Sequence, residues 1–331
     1  MDLPGFVDLQ VNGCKGVDFS GPDLTEADFV SACRQILAAG TAVFLPTMVT
    51  SAPDVYEQNL RIMGAVLQRP EFHNTVPGIH IEGPFISPEP GACGTHNPKW
   101  ITRPDFEYLK QLVAWAEQKV KMITIAADIE GAEEIACWCR QHEIVVSLGH
   151  HMADEDDLER LRRAGASALT HLGNGAPAKL DRHKNPILAG LCSDGLSATM
   201  ITDGHHIAPC LIKTFIRTKG IERCIVISDG SALTAMPPGR YHSLGSDVIL
   251  EENGRIYNPA ARCLAGSSAT MLQCMNYLAS LRLLTPEQLM MVGFHNPLRL
   301  LGIDPDTIDT PAAVVFDEKS NSFLLQPRLG K

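Results

Sequence analysis

Val76-Pro77-Gly78-Ile79-His80-Ile81-Glu82-Gly83-Pro84-Phe85 is the stretch on which the fold turns. An apolar run ends on a carboxylate and passes at once into Gly-Pro. Buried strands read this way, and residues just beyond the C-terminal ends of barrel strands face a shared cleft. Glu82 is poorly explained as a solvated charge, because the residues before it are apolar. A carboxylate in such a place needs a cation or several donors. Three further apolar runs end in the same manner: 144–148 leads to His150, 166–170 to His171 and 224–228 to Asp229. One carboxylate and two imidazoles form a three-ligand metal set with an open position. A further carboxylate beside it is a candidate general base. The pattern predicts metal-assisted hydrolysis.

The same kind of run recurs along the chain, at 6–11, 42–45, 76–81, 120–126, 144–148, 166–170, 198–201 and 224–228. Helical patterns separate most of them, at 25–39, 53–67, 105–116, 132–142, 154–164 and 208–219. In the first of these Thr25 caps, Phe29, Ile36 and Leu37 mark an apolar face, and Gly40 ends the helix. Eight strands alternating with helices predict an α/β fold, a parallel (β/α)8 TIM barrel. Two regions interrupt it. Residues 83–104 form a long Pro- and Gly-rich insertion after the third strand, and long loops on this face tend to be functional. Residues 237–259 alternate and contain Asn253-Gly254, a hairpin signal. A helix over 268–283 and a capped start at Thr285-Pro286-Glu287-Gln288 follow. With no repeat or linker, residues 1–331 read as one domain, and the tail 310–331 reads as one more strand pair.

Of the 331 residues, 45% are hydrophobic and 20% charged, an ordinary globular balance. The net charge of −10 argues against nucleic acid, whose binding needs clustered Lys and Arg. It leaves room for a small anion in a local cationic pocket, since exposed charges are screened beyond about 8–10 Å. There is neither an apolar stretch of about 18 residues nor a basic region leading into one at the N-terminus, so no membrane association and no secretion are expected. The 10 cysteines lack a Cys-x-x-Cys pair and read as reduced thiols of a cytoplasmic protein.

Several other polar residues carry competing readings. Gln10 and Asn12 share a face at the end of the first strand. They are weak ligands, and either satisfy buried backbone groups or contact substrate or water. His80 lies deeper in its strand and reads as a core histidine. His151 points away from His150 and leads toward the next helix. In Asp203-Gly204-His205-His206, Asp203 holds the turn and one histidine faces substrate. On spacing alone Arg182 sits in a solvated basic loop, and Gly266-Ser267-Ser268 opens a helix whose amides suit an anion or a Ser cap.

Together these segments resemble the N-acetylglucosamine-6-phosphate deacetylase family of the amidohydrolase superfamily. The matching stretches begin with Pro4-Gly5-Phe6-Val7-Asp8-Leu9-Gln10-Val11-Asn12-Gly13, His80-Ile81-Glu82-Gly83-Pro84-Phe85 and Gly94-Thr95-His96-Asn97-Pro98. They continue with Gly149-His150, Thr170-His171-Leu172, Asp203-Gly204-His205-His206, Ser228-Asp229 and Leu264-Ala265-Gly266-Ser267-Ser268-Ala269-Thr270-Met271. The resemblance implies a metal-dependent amidohydrolase-type barrel that removes acetate from an N-acetyl amino-sugar phosphate. It implies Glu82, His150 and His171 as ligands to one divalent metal ion, with Gln10 and Asn12 similar to the family's single-metal form. Zn²⁺ is the leading ion, and Fe²⁺, Mn²⁺ or Co²⁺ also suit the donors. Asp229 is implied as acid/base and His96 as the group polarising the acetyl carbonyl. Asn174 and Gly175 would lie near the phosphate, Arg182 would bind it across a homodimer interface, and His206 would bind substrate. The family usually adds a small β-sandwich, expected here to be absent or residual. The chain departs from the family pattern at Gly175-Ala176 and at Gly230-Ser231-Ala232. Those departures keep open a rival amidohydrolase for another N-acyl compound, and the expected loss of the sandwich keeps open a non-catalytic sugar-phosphate-binding protein.

Overall fold

A computed structural model describes residues 2–243, 246–260, 263–308 and 312–327. Eight parallel strands form one sheet in chain order. They are β1 (Phe6–Val11), β2 (Thr41–Val49), β3 (Ile79–Glu82), β4 (Val120–Ile125), β5 (Val145–Leu148), β6 (Ala166–Leu169), β7 (Ser197–Ile201) and β8 (Cys224–Ile227). Parallel ladders join each strand to the next from β1 to β8. The cylinder closes where Asn12 N donates to Gly230 O at 2.7 Å, beside a Val11–Gly230 bridge. This is the expected (β/α)8 barrel.

The strands are apolar because both of their faces are covered. β2 is the instructive difference. Its apolar run breaks at Pro46, yet the strand continues to Val49 and places Thr50 at the barrel mouth. Proline lacks a ladder donor, and the pairing of β1 with β2 slips register just where Val11 meets Pro46.

The outer helices are α1 (Glu26–Ala38), α2 (Pro53–Val66), α3 (Phe106–Trp115), α4 (Ala132–Gln141), α5 (Glu155–Ala164), α6 (Pro186–Cys192), α7 (Pro209–Lys219) and α8 (Met271–Ser280). α5 shows how local chemistry sets them. Asp154 and Asp157 form a capping box, acids fill the first turn, and Arg162 and Arg163 sit in the last, complementing the helix dipole. Leu158 and Leu161 then turn inward and bury fully, each contributing about 1.5–3 kcal/mol. The short α6 was not legible in the sequence pattern. The helix expected from residue 268 starts at Met271 with Thr270 as its cap, so Gly266-Ser267-Ser268 is not a helix N-terminus. Ser267 instead pairs with Gly230.

Three small sheets accompany the barrel among the described residues, the smallest being Gly13–Cys14 paired with Val17–Asp18 just after β1. β9 (Gly239–Ser243), β10 (Ser246–Leu250), β11 (Ile256–Asn258) and β12 (Cys263–Leu264) form an antiparallel sheet after β8. It has its own apolar cluster of Leu233, Val248, Leu250, Ile256 and Ala265. Asn253-Gly254 makes the turn between β10 and β11, and His205 Nε2 lies 3.1 Å from Asn253 O, which ties that turn to the barrel. In the tail, β13 (Ala312–Asp317) and β14 (Ser322–Pro327) pair, and the segment Asp2–Leu3 joins β13. Phe323 packs edge-on against Phe6 with ring centroids 4.9 Å apart, so the tail belongs to the main core. Residues 310–311 and 328–331 of the expected tail lie outside the described residues. All ten cysteines are free, and no helix among the described residues is long and apolar enough to cross a membrane.

Candidate active site

Glu82, His150 and His171 converge at the C-terminal end of the barrel, all of them buried. Glu82 Oε1 lies 3.2 Å from His150 Nε2 and 2.9 Å from His171 Nε2, and the two nitrogens are 3.0 Å apart. The backbone arranges this. His150, His171 and Asp229 are non-glycine residues with positive φ, at 53°, 31° and 48°. Such residues are uncommon outside strained or functional places. Each ends its strand with a left-handed residue that turns the chain abruptly. Thr199 Oγ1 holds the second of these turns by accepting from His171 N at 2.7 Å.

The donor set fits a cation. His150 Nδ1 lies 2.8 Å from the Ala92 carbonyl, so it carries the ring proton and Nε2 presents a lone pair. That lone pair meets a second imidazole nitrogen and a carboxylate oxygen, an arrangement protons alone satisfy badly. A tetrahedral ion with bonds of about 2.0–2.1 Å wants donors about 3.3 Å apart, close to the spacing here. Glu82 shows the same electrostatics. Burial raises its carboxyl, but the imidazoles of His150, His171 and His96 around it prevail and hold it well below the usual range. His171 is lowered by burial and raised more by Glu82, with a net upward shift.

Asp229 sits beside this cluster. Its Oδ1 accepts from Asn12 Nδ2 at 2.7 Å and Gln10 Nε2 at 3.0 Å, while Oδ2 makes no hydrogen bond among the described residues. Gln10 Nε2 also donates to Glu82 Oε1 at 2.9 Å. The two amides therefore tie the acidic groups together and do not satisfy backbone. Burial, then the charge of Glu82, push Asp229 up to about 6.

His96 folds in from the 83–104 insertion. Its Nδ1 accepts from Thr50 N at 3.3 Å and lies 2.8 Å from Thr50 Oγ1. An accepting Nδ1 leaves the proton on Nε2, which faces Glu82 Oε2 at 3.6 Å. Burial first, then His150, lower the His96 pKa and favour this neutral N–H form. Thr50 escaped the sequence reading because Pro46 hid the end of β2. Thr50→Val keeps the volume and removes the hydroxyl that meets His96 Nδ1 at 2.8 Å and Glu82 O at 3.4 Å, the shorter contact worth about 1 kcal/mol. It should lower kcat about five- to tenfold with little change in KM in steady-state assays. An unchanged kcat would leave Thr50 without that role.

Asp203 holds its turn, accepting from His205 N and His206 N at 2.9 and 3.0 Å, and its Oδ2 lies 2.7 Å from His206 Nδ1. Burial raises Asp203, but His206 outweighs it and takes the carboxyl to about 2. An electrostatic interaction with His206 acts to lower the Asp229 pKa, whereas His205 ties the hairpin turn. Asn174 caps back onto His171 O, its amide N at 2.9 Å. Gly175 packs on the His150 ring, where an added Cβ would stand 2.9 Å from Nδ1. The departure at this position thus has a packing reason. His80 is a core histidine, 3.0 Å from Leu9 O and 2.8 Å from Thr124 Oγ1. His151 is buried and accepts from Ala153 N at 3.1 Å. Arg182 stands apart: it is exposed in the loop before α6 and makes no side-chain hydrogen bond or ion pair among the described residues.

A parallel eight-stranded barrel with a Glu-His-His cluster able to hold a divalent ion, and a buried carboxylate beside it at the C-terminal end, defines the class of metal-assisted hydrolases. No family model matches the chain. It is 32% identical to the N-acetylglucosamine-6-phosphate deacetylase of Danio rerio over 91% of its own length and 75% of that protein. It is 28% identical to the N-acetylgalactosamine-6-phosphate deacetylase of Escherichia coli O157:H7, over 91% of its own length and 78% of that protein. An N-acetyl-D-glucosamine-6-phosphate deacetylase variant from Mycobacterium smegmatis, solved with N-acetyl-D-glucosamine-6-phosphate, superposes with a TM-score of 0.87. That match has 26% identity and covers 98% of this chain and 85% of that one. The chain belongs to the N-acetylglucosamine-6-phosphate deacetylase family.

Proposed function

We propose that this enzyme, one barrel domain acting in the cytoplasm, hydrolyses an N-acetylated hexosamine 6-phosphate to acetate and the free amino sugar phosphate. N-acetylglucosamine 6-phosphate is the leading substrate. The observation that carries this reading is the convergence of Glu82, His150, His171 and Asp229, with the His96 N–H beside them. Glu82, His150 and His171 would hold one divalent ion, Zn²⁺ first among those the donors suit. Such an ion supplies Lewis-acid polarisation and an acidified water. Asp229, its Oδ1 held by two amides, takes the water's proton at Oδ2 as the oxygen attacks the acetyl carbon. The His96 Nε2–H donates to the carbonyl oxygen as negative charge develops there. Asp229 then returns the proton to the nitrogen as the C–N bond breaks, because an amine leaves poorly as an anion.

Asn174, Gly175 and His206 would bind the sugar phosphate, with Asn174 and Gly175 beside the His150 ring. Arg182 makes no side-chain bond among the described residues, and supplied across a homodimer interface it would grip the phosphate by charge-assisted, bidentate bonds. The relatives divide between glucosamine and galactosamine derivatives, so the epimer needs a direct test. Acetate release should be measured with both N-acetylhexosamine 6-phosphates and their unphosphorylated sugars. The expected result is a kcat/KM at least about a hundredfold higher with phosphate, equivalent to one charge-assisted contact of about 3 kcal/mol. Arg182→Ala should raise KM for the phosphorylated substrate. Equal rates with and without phosphate would turn the reading to an amidohydrolase for another N-acyl compound.

A further inference from the structure

Seven of the eight strand neighbours in the barrel share a backbone ladder, and the eighth pair, β8 with β1, does not. At the top of that seam Asn12 N reaches Gly230 O. Below it, the amide of Ser228, the residue just before Asp229, has no strand carbonyl opposite. Its acceptor is a side chain, Asp8 Oδ1, at 3.1 Å, and the same oxygen accepts from Gln10 N at 3.3 Å. Ser228 Oγ in turn accepts from Gly230 N at 3.1 Å. Asp229 is therefore braced from β1 on both flanks and at its carboxylate, by Asp8, Asn12 and Gln10.

A cavity of about 230 Å³ borders the seam, lined by Asp8, Val11 and Ser228 with Ile36, Thr234 and Met271. The left-handed backbone of Asp229 must be held by specific bonds, because a residue at positive φ has no regular secondary structure to keep it there. Asp8 is also costly. It is 1% exposed within an apolar strand, and burial pushes its carboxyl up to about 7 despite its hydrogen bonds to Ser228 and Gln10. A hydrophobic residue would stabilise β1 better, and a carboxyl kept at such a cost points to a task.

We propose that Asp8 is a positioning residue for catalysis, its carboxyl oxygen replacing the missing ladder acceptor at the β1–β8 seam and fixing the backbone that aims Asp229. It touches neither substrate nor the Glu-His-His cluster. The proposal rests on Asp229 being the acid/base, and the test separates the two.

Asp8→Ala, Asp8→Leu, Asp8→Asn and Asp229→Asn should be compared as metal-loaded enzymes by acetate release, metal content and thermal melting. Water from the cavity can solvate the freed Ser228 amide in Asp8→Ala, so that variant should fold while Asp229 loses its fixed geometry. Misplacement by about 1 Å costs about a hundredfold. The expected result is a kcat about 30- to 100-fold lower, with KM and metal stoichiometry unchanged. Asp8→Asn keeps an acceptor oxygen and should recover most of the rate, whereas Asp8→Leu fills the space without an acceptor and should not. If the alanine variant does not fold, the leucine–asparagine pair carries the same comparison. Equal rates in Asp8→Leu and wild type, or equal losses in Asp8→Leu and Asp8→Asn, would overturn the proposal. An active Asp229→Asn enzyme would instead overturn the role of Asp229 itself.

Discussion

Asp229→Asn should lower kcat about a thousandfold, within the span a general acid–base group supplies, while the enzyme keeps its metal. Asparagine preserves the shape and can still meet Asn12 and Gln10, but it takes no proton from water. The pH dependence gives a second readout. Burial first, then Glu82, raise Asp229 to about 6, and only the ionised form acts as base. The wild-type rate should therefore fall as pH drops through the Asp229 pKa. A cation on Glu82 cancels the second cause, so that limb lies at or below about 6. The residual activity of the variant should show no such limb. Acetate release across pH 4–8, an assay window on the order of the carboxylate range, together with metal content, checks both points. Activity within tenfold of wild type, about 1.4 kcal/mol, would remove Asp229 from the mechanism.

Removing the divalent ion should abolish turnover, and restoring it should bring turnover back. In the stripped protein three donor atoms remain 2.9–3.2 Å apart with only protons to share. Glu82→Gln should make the loss permanent. It keeps the side-chain volume and removes the one anionic donor, so metal content should fall toward zero. The ion's share of transition-state stabilisation is several kcal/mol, so kcat/KM should drop by about a thousandfold or more. Metal analysis beside acetate release decides the matter. The melting temperature should also fall on chelation, since an ion at a hundred times its Kd stabilises the native state by about 2.7 kcal/mol. Full activity in protein shown to be free of metal would end the metal-hydrolase reading.

Much of this site was legible before the fold was known, and the reason is local. Glu82, His150, His171 and Asp229 each end an apolar run, and a charged or imidazole group there has few explanations besides a site. Caps and turn residues likewise announced α1, α5 and the Asn253-Gly254 turn. Other features were hidden because their cause is not local. The end of β2 lay behind Pro46, and with it Thr50. Gln10 and Asn12 were ambiguous until Glu82 and Asp229, over 70 and over 200 residues away, were brought against them. Asp8 carried a signal, a carboxylate inside an apolar strand, but its meaning depends on a barrel seam that exists only once β8 returns to β1.

Sequence by itself therefore determined the alternation of strand and helix, the four residues at the strand ends and the class of chemistry they support. Those follow from hydrophobic periodicity and side-chain type, which neighbouring residues reveal. Tertiary structure alone decided which ring nitrogen of His150 and of His96 carries a proton. It also decided which amides hold Asp229, what an added Cβ at position 175 would meet, and that His205 is taken up by the hairpin turn. Each of these depends on hydrogen-bond partners far apart in the chain, and only closure of the barrel brings those partners within about 3 Å.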